Sequence, residues 1–195
     1  MAAYPAAGTE GQEVRLFFVS KNAFKHAEAA EILKPLGVSV EPDHSAIQEL
    51  QTADTDALVR DKATKAFNKL GRPLFVEHTG LYLDMLNGLP GGLTEVFWET
   101  LKKDRVAALF ASNKDVVRAV THIGYVDGRR IHVFRGEVVG RIVPPRVDHG
   151  FQWDCVFKPD GYDQTFSEMG ALKNQISMRR KALEKLREHL AGDIA

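Results

Sequence analysis

The chain has 195 residues, 44% of them hydrophobic, which is enough for one domain with a sizeable core. Lysine plus arginine and aspartate plus glutamate number 26 each, so the overall charge does not favour nucleic acid or a membrane surface as a partner. The single cysteine excludes an internal disulfide, and no apolar run is long enough to cross a bilayer, so we expect a cytoplasmic protein.

The first half of the chain alternates predicted strands and helices. Residues 1–13 lack the regions of a secretion signal and predict a flexible tail, which leaves one domain over residues 14–195. "VRLFFVS" predicts a buried strand and the following apolar spacing a helix; "PLGVSVEPD" predicts a second strand, and the next helix ends at Gly71. This order is typical of an α/β layer architecture.

The next strand, "PLFVE", is predicted to deliver Glu77 and His78 to its end and then break into a glycine-rich turn. "TEVFWETLKKDRVAALFA" predicts one or two helices, and "VDGRR" predicts the hairpin of an antiparallel meander, so we expect a mixed sheet. The segment "PPRVDHGFQWDCVFKPDGYDQTFSEM" predicts an ordered functional loop region, and a helix with Leu183, Leu186 and Leu190 on one face ends the chain.

"SKNAFK" lies between the first strand and the first helix. It presents Ser20, Asn22 and Lys25 where the free N–H groups of a helix and its dipole favour anions, which indicates a phosphate site. The alternative is a plain helix cap with a solvated lysine.

Glu49, Glu77 and His78 form a second candidate cluster. If the fold brings them together, two carboxylates and an imidazole can hold a divalent cation and orient a water molecule. His78 taken alone also fits a hydrogen-bonded structural histidine.

A third group lies near the end of the chain. Aromatic faces stack on a nucleobase, while charged and hydroxyl groups can bind its edge or its phosphates. The candidates are Phe151, Trp153, Asp154, Lys173, Ser177 and Arg179. Aromatic core packing beside a solvated basic helix start is the alternative.

These motifs, in this order, resemble the inosine triphosphate pyrophosphatase family over residues 14 to 190. "SKNAFK" is similar to the family's [ST]-x-N-x-x-K, and "VEHTGLYLDMLNGLPG" to its acid-Asp-[ST]-G-L segment with N-G-x-P-G. "GRIVPPR", "GFQWDCVFKPDGYDQTFSEM" and "KNQISMRR" follow its C-terminal pattern.

The resemblance implies an elongated mixed sheet flanked by helices, two lobes around a nucleotide-binding cleft, Mg²⁺ dependence and a homodimer. The implied reaction is hydrolysis of aberrant purine triphosphates such as ITP, dITP and XTP to a nucleoside monophosphate and pyrophosphate. Carried over by position, Glu49 and Glu77 would bind the metal, and His78, Glu77 and Lys25 would be catalytic. The substrate would be held by Ser20, Asn22, Lys25, Phe151, Trp153, Asp154, Lys173, Ser177, Met178 and Arg179.

Four positions depart from the family pattern, and one of them is Glu95, where some relatives carry a basic residue. His78 stands where the family has an aspartate, and an imidazole suits Mn²⁺ or another divalent cation better than Mg²⁺. Met178 replaces a histidine and Gln152 a glycine in the expected base pocket. These changes leave two alternatives open, namely another or modified nucleotide, including a monophosphate, as substrate, or a catalytically impaired nucleotide-binding protein.

Overall fold

The computed structural model describes residues 14–113, 115–147 and 152–192, so the predicted tail lies outside the described residues. Six strands form one sheet in the order β2-β1-β3-β4-β5-β6. The strands are β1 Val14–Val19, β2 Val38–Asp43, β3 Leu74–Leu83, β4 Val117–Val126, β5 Ile131–Ile142 and β6 Phe157–Pro159. β1 pairs in parallel with β2 and β3, while β3 to β6 are antiparallel, which confirms the predicted mixed sheet.

The helices begin and end at residues that explain their limits. Asn22 caps the first helix and Asp54 the second, and Gly71, in the left-handed region at φ 63°, ends the second as predicted. The helices are α1 Ala23–Leu33, α2 Thr55–Leu70, α3 Thr94–Phe110, α4 Phe166–Met169, α5 Lys173–Ile176 and α6 Met178–Gly192. α3 is kinked at Lys102. None of the helices in the described ranges has the length and hydropathy that spanning a membrane requires.

The side chains of each strand point alternately to the two faces of the sheet, so both faces carry side chains against which helices pack. On one face, α2 lies so close that a Cβ on Gly124 would be 2.6 Å from Val59. On the other face, a Cβ on Gly136 would be 2.0 Å from the carbonyl oxygen of Met178 in α6. We call the first of these the α2 face of the sheet and the second the α6 face. Leu183, Leu186 and Leu190 are buried, as the sequence predicts.

β3 is longer than the sequence predicts. The prediction that Glu77 and His78 end the strand is wrong, because β3 continues to Leu83. Gly80, taken for the start of a turn, is a strand residue whose Cβ would lie 2.5 Å from the carbonyl oxygen of Gly91. The glycine therefore permits a close backbone approach, and the chain turns only at Asn87 and the glycine after it.

Candidate active site

A cleft of about 650 Å³ lies beside the end of β1 and the start of α1. Most of its lining comes from the turn before α1, the segment 45–51, the middle of β3 and the first half of α3, and Lys62 of α2 and Gln152 also line it. The predicted site residues that line it are Ser20, Asn22, Lys25, Glu49 and His78. These residues, which are far apart in the sequence, therefore share one cleft.

The first turn of α1 presents the predicted phosphate-binding group. The Asn22 side chain accepts a hydrogen bond from the Lys25 backbone N–H at 3.2 Å, and the Ser20 hydroxyl accepts one from the Asn22 N–H at 3.2 Å. The Lys25 ammonium is 3.1 Å from Glu77. Burial lowers the pKa of Lys25 in spite of that carboxylate. A helix N-terminus and a nearby ammonium suit an anion such as a phosphate.

Glu77 lies on the α6 face and is 2% exposed. Arg179 donates to both of its carboxylate oxygens, at 2.6 and 3.0 Å, and the Thr79 hydroxyl donates at 2.9 Å. Burial alone would raise the pKa of Glu77, but Arg179 and Lys25 hold it well below its ordinary value. Both oxygens are engaged inside the protein, and Glu77 is not among the residues that line the cleft. Its metal-binding and catalytic roles stay predictions.

Arg179 joins three elements through buried ion pairs. Besides Glu77 in β3, its guanidinium contacts Glu28 in α1, which also accepts a hydrogen bond from Ser177 at 3.2 Å. Burial acts against the charge on Arg179, but the two carboxylates raise its pKa above the ordinary arginine value. Arg179 is 2% exposed and Ser177 is fully buried, so both support the site through buried contacts with Glu28.

His78 lies on the α2 face, opposite to Glu77, and turns toward Glu49. Its Nδ1 is 3.6 Å from Glu49 Oε2, an electrostatic contact slightly longer than a hydrogen bond. Its Nε2 is buried and has no hydrogen-bond partner among the described residues. An imidazole that lines a cleft with one nitrogen facing a carboxylate and the other unengaged can accept a proton or bind a metal ion.

Lys62 is a site residue that the sequence analysis missed. Its ammonium donates to Glu49 at 2.5 Å and to the Glu77 backbone oxygen at 3.2 Å, and it lines the cleft. Burial would raise the pKa of Glu49, but His78 and Lys62 lower it to about 2. The sequence contained a sign of this role, because Lys62 is a charged residue at a buried position of α2, between the apolar residues Val59 and Ala63.

A smaller cavity of about 230 Å³ contains three of the predicted base-binding residues. The Lys173 ammonium donates to Asp154 at 2.7 Å in a buried ion pair, and Arg179 lines the same space. Lys25 lines both this cavity and the larger cleft, so the two adjoin. A ligand with a charged end and a polar ring could occupy both.

Two other predicted residues, Trp153 and Met178, lie away from both cavities. Trp153 and Met178 have no exposed surface and belong to one hydrophobic cluster, in which Trp153 packs edge-on against Phe157. Neither is among the residues that line the two cavities. Gln152 lines the larger cleft, and Phe151 lies outside the described residues. Within the described ranges, no three histidine, cysteine, aspartate or glutamate side chains are grouped as metal ligands.

Comparison with known proteins identifies the family. The model of the Ham1 family matches residues 16–189. The chain belongs to the Ham1 family. It is 39% identical to an inosine triphosphate pyrophosphatase of Tuber melanosporum, an alignment that covers 89% of this chain and 95% of the relative.

Other relatives agree with this family membership. The chain is 33% identical to a dITP/XTP pyrophosphatase of Methanopyrus kandleri, with 93% of this chain and 99% of the relative covered. The structure of a HAM1 protein from Coxiella burnetii superposes with a TM-score of 0.75 at 24% identity, covering 92% of this chain and 99% of that one. The predicted family and the predicted α/β fold are therefore confirmed.

Proposed function

We propose that the chain hydrolyses aberrant purine nucleoside triphosphates of the ITP, dITP and XTP type to a nucleoside monophosphate and pyrophosphate. The observation that carries the proposal is one cleft that combines the N-terminus of α1, the lysines Lys25 and Lys62, and the Glu49 and His78 pair. The relatives named as inosine triphosphate and dITP/XTP pyrophosphatases support the same reaction.

In the proposed mechanism, the triphosphate lies over the first turn of α1. The ammonium groups of Lys25 and Lys62 compensate charge on the phosphates, and Asn22 positions the turn. Glu77 holds Lys25 in place from the α6 face at 3.1 Å.

His78 acts as the general base. A water molecule attacks the α-phosphorus, the bond from that phosphorus to the bridging oxygen breaks, and pyrophosphate leaves. The proton of the water passes to the imidazole of His78, which lines the cleft. The Glu49 carboxylate, 3.6 Å from Nδ1, stabilises the imidazolium that forms.

A divalent metal ion fits this cleft through Glu49 together with the substrate. Mg²⁺ in nucleotide sites is bound by one or two carboxylates plus phosphate oxygens, and Glu49 supplies such a carboxylate at the cleft surface. A bound ion would neutralise charge on the triphosphate. If His78 binds the ion instead of accepting the proton, its imidazole suits Mn²⁺ better than Mg²⁺, and Mn²⁺ would then support activity.

The test is pyrophosphate release from a panel of ITP, dITP, XTP, ATP and GTP with Mg²⁺ or Mn²⁺. We expect release from the first three, faster than from ATP and GTP, and none with a chelator. Absence of pyrophosphate from every nucleotide with either metal would refute the proposal.

The assembly and location of the enzyme are part of the same proposal. We expect a homodimer, from the family resemblance, and a cytoplasmic enzyme. The single cysteine, Cys155, supports this location because a chain without internal disulfides is typical of reducing compartments. Light scattering after size exclusion measures the mass, and a monomer at micromolar concentration would contradict the dimer.

A further inference from the structure

The first turn of α1 carries a phenylalanine whose ring is mostly in solvent. Phe24 is 72% exposed, the largest exposed fraction among the large hydrophobic side chains of the described residues. Scattered exposed apolar residues are common, so exposure alone indicates nothing. The position is informative, because Phe24 lines the smaller cavity, one helical residue away from Lys25.

α1 forms one wall of this cavity with a single face of the helix. Phe24, Ala27, Glu28 and Glu31 follow each other at helical spacing, and all four line the space. Ala27 is small and leaves room beside the ring. Glu31 accepts a hydrogen bond at 2.8 Å from Asn174, which also lines the cavity. At the other end of this stretch of α1, the ring of Phe24 is exposed to solvent.

The opposite wall is polar and offers no accessible aromatic face. It carries the Asp154 and Lys173 ion pair, and its aromatic lining residue, Phe166, is only 1% exposed. Trp153, which the sequence predicts to stack on a base, is fully buried behind this wall. Among the described lining residues, Phe24 therefore provides the ring that a planar ligand can reach.

We propose that Phe24 stacks on the nucleobase of the substrate while Asp154 and Lys173 face the edge of the base. This inference rests on the proposed function and adds a residue that selects ligands carrying a base. One helical turn would then contact both ends of the nucleotide, since Asn22 and Lys25 face the phosphates. Stacking is tolerant of the base but needs a π-face.

The test is calorimetric titration in the presence of a chelator, so that no hydrolysis intervenes. ITP and inorganic tripolyphosphate, which has no base, are titrated into wild type and into Phe24→Ala, Phe24→Leu and Phe24→Tyr. We expect Phe24→Ala and Phe24→Leu to raise the Kd for ITP by about five- to a hundredfold. Phe24→Tyr should stay within about twofold of wild type, as should the tripolyphosphate Kd in every variant.

Leu109→Ala is the matched control, because Leu109 is 52% exposed and lines neither cavity. An unchanged Kd for ITP in Phe24→Ala would overturn the inference, as would an equal loss for ITP and tripolyphosphate or no ITP binding by wild type. Pyrophosphate release is measured separately, so an inactive wild type whose ITP affinity depends on the ring would refute the proposed function while supporting stacking.

Discussion

Glu77 and His78 are adjacent in the sequence, but their side chains leave β3 on opposite faces of the sheet. Glu77 enters the buried ionic cluster against α6, and His78 enters the cleft beside Glu49. The alternation of side chains along a strand thus places one of two neighbouring polar residues in a buried ionic cluster and the other at the cleft.

Glu77→Gln should destabilise the protein strongly. Removing one partner of a buried ion pair leaves the other charges uncompensated, here Arg179 and Lys25, and costs about 3–5 kcal/mol. Denaturant unfolding measures the change. Glu184→Gln is the control, because the ion pair of Glu184 with Arg180 is exposed and should be worth at most about 1 kcal/mol. Equal losses in the two variants would contradict the structural role of Glu77.

His78→Asn should lower kcat by about 10²–10⁴ with little change in the free energy of unfolding, because asparagine cannot accept the proton. The measurement is the steady-state rate of pyrophosphate release from ITP. The control is His122→Asn, which changes the paired residue on β4 that does not line the cleft. Full activity of His78→Asn would exclude the proposed base, and an inactive wild type with an active His78→Asp would identify a lost carboxylate.

Met178→His should reduce stability without creating preference for ITP. The Met178 side chain is fully buried in a hydrophobic cluster, so an imidazole there would lack hydrogen-bond partners at a cost of about 1–3 kcal/mol. Thermal unfolding and the ratio of kcat/KM for ITP and ATP measure the two effects. Met85→His provides the comparison at an exposed methionine. A stable Met178→His variant with raised ITP preference would show that position 178 reaches the base.

His122 should make stability depend on pH between about 4 and 6.5. Burial and Arg135 lower its pKa from 6.5 to about 4, so the unfolded chain binds more protons in this window and stability falls as the pH falls. Between pH 7 and 5 we expect a loss of roughly 2 kcal/mol that His122→Gln removes. Denaturant unfolding at both pH values tests this, and equal losses in wild type and variant would contradict it.

Local sequence patterns predicted the strands and helices well, because the limits of these elements depend on residues that are neighbours in the sequence. The cap at Asn22, the stop at Gly71 and the antiparallel hairpin follow from residue types alone. The length of β3 was wrong, because Gly80 serves a contact with a backbone segment eleven residues later. A glycine required by a tertiary approach is indistinguishable from a turn glycine in the sequence.

Only part of the candidate site was predicted, because some of its residues follow from a local motif and others depend on tertiary packing. Residue types in "SKNAFK" predicted an anion site at this turn; the turn lines the cleft, and anion binding stays a prediction. The burial of Trp153 and the position of Lys62 depend on how distant elements pack. Motifs therefore identify which residues matter better than which direction each one faces.

The ionic cluster around Arg179 also restricts how such a sequence can change. Arg179 contacts Glu28 in α1 and Glu77 in β3, so losing Arg179 deprives two buried carboxylates of a partner, and losing either carboxylate leaves the guanidinium with one partner instead of two. The effects of substitutions within such a cluster are not additive, because each depends on whether the others are still present. Single replacements at these three positions are therefore costly, and the cost of each depends on the residues at the other two.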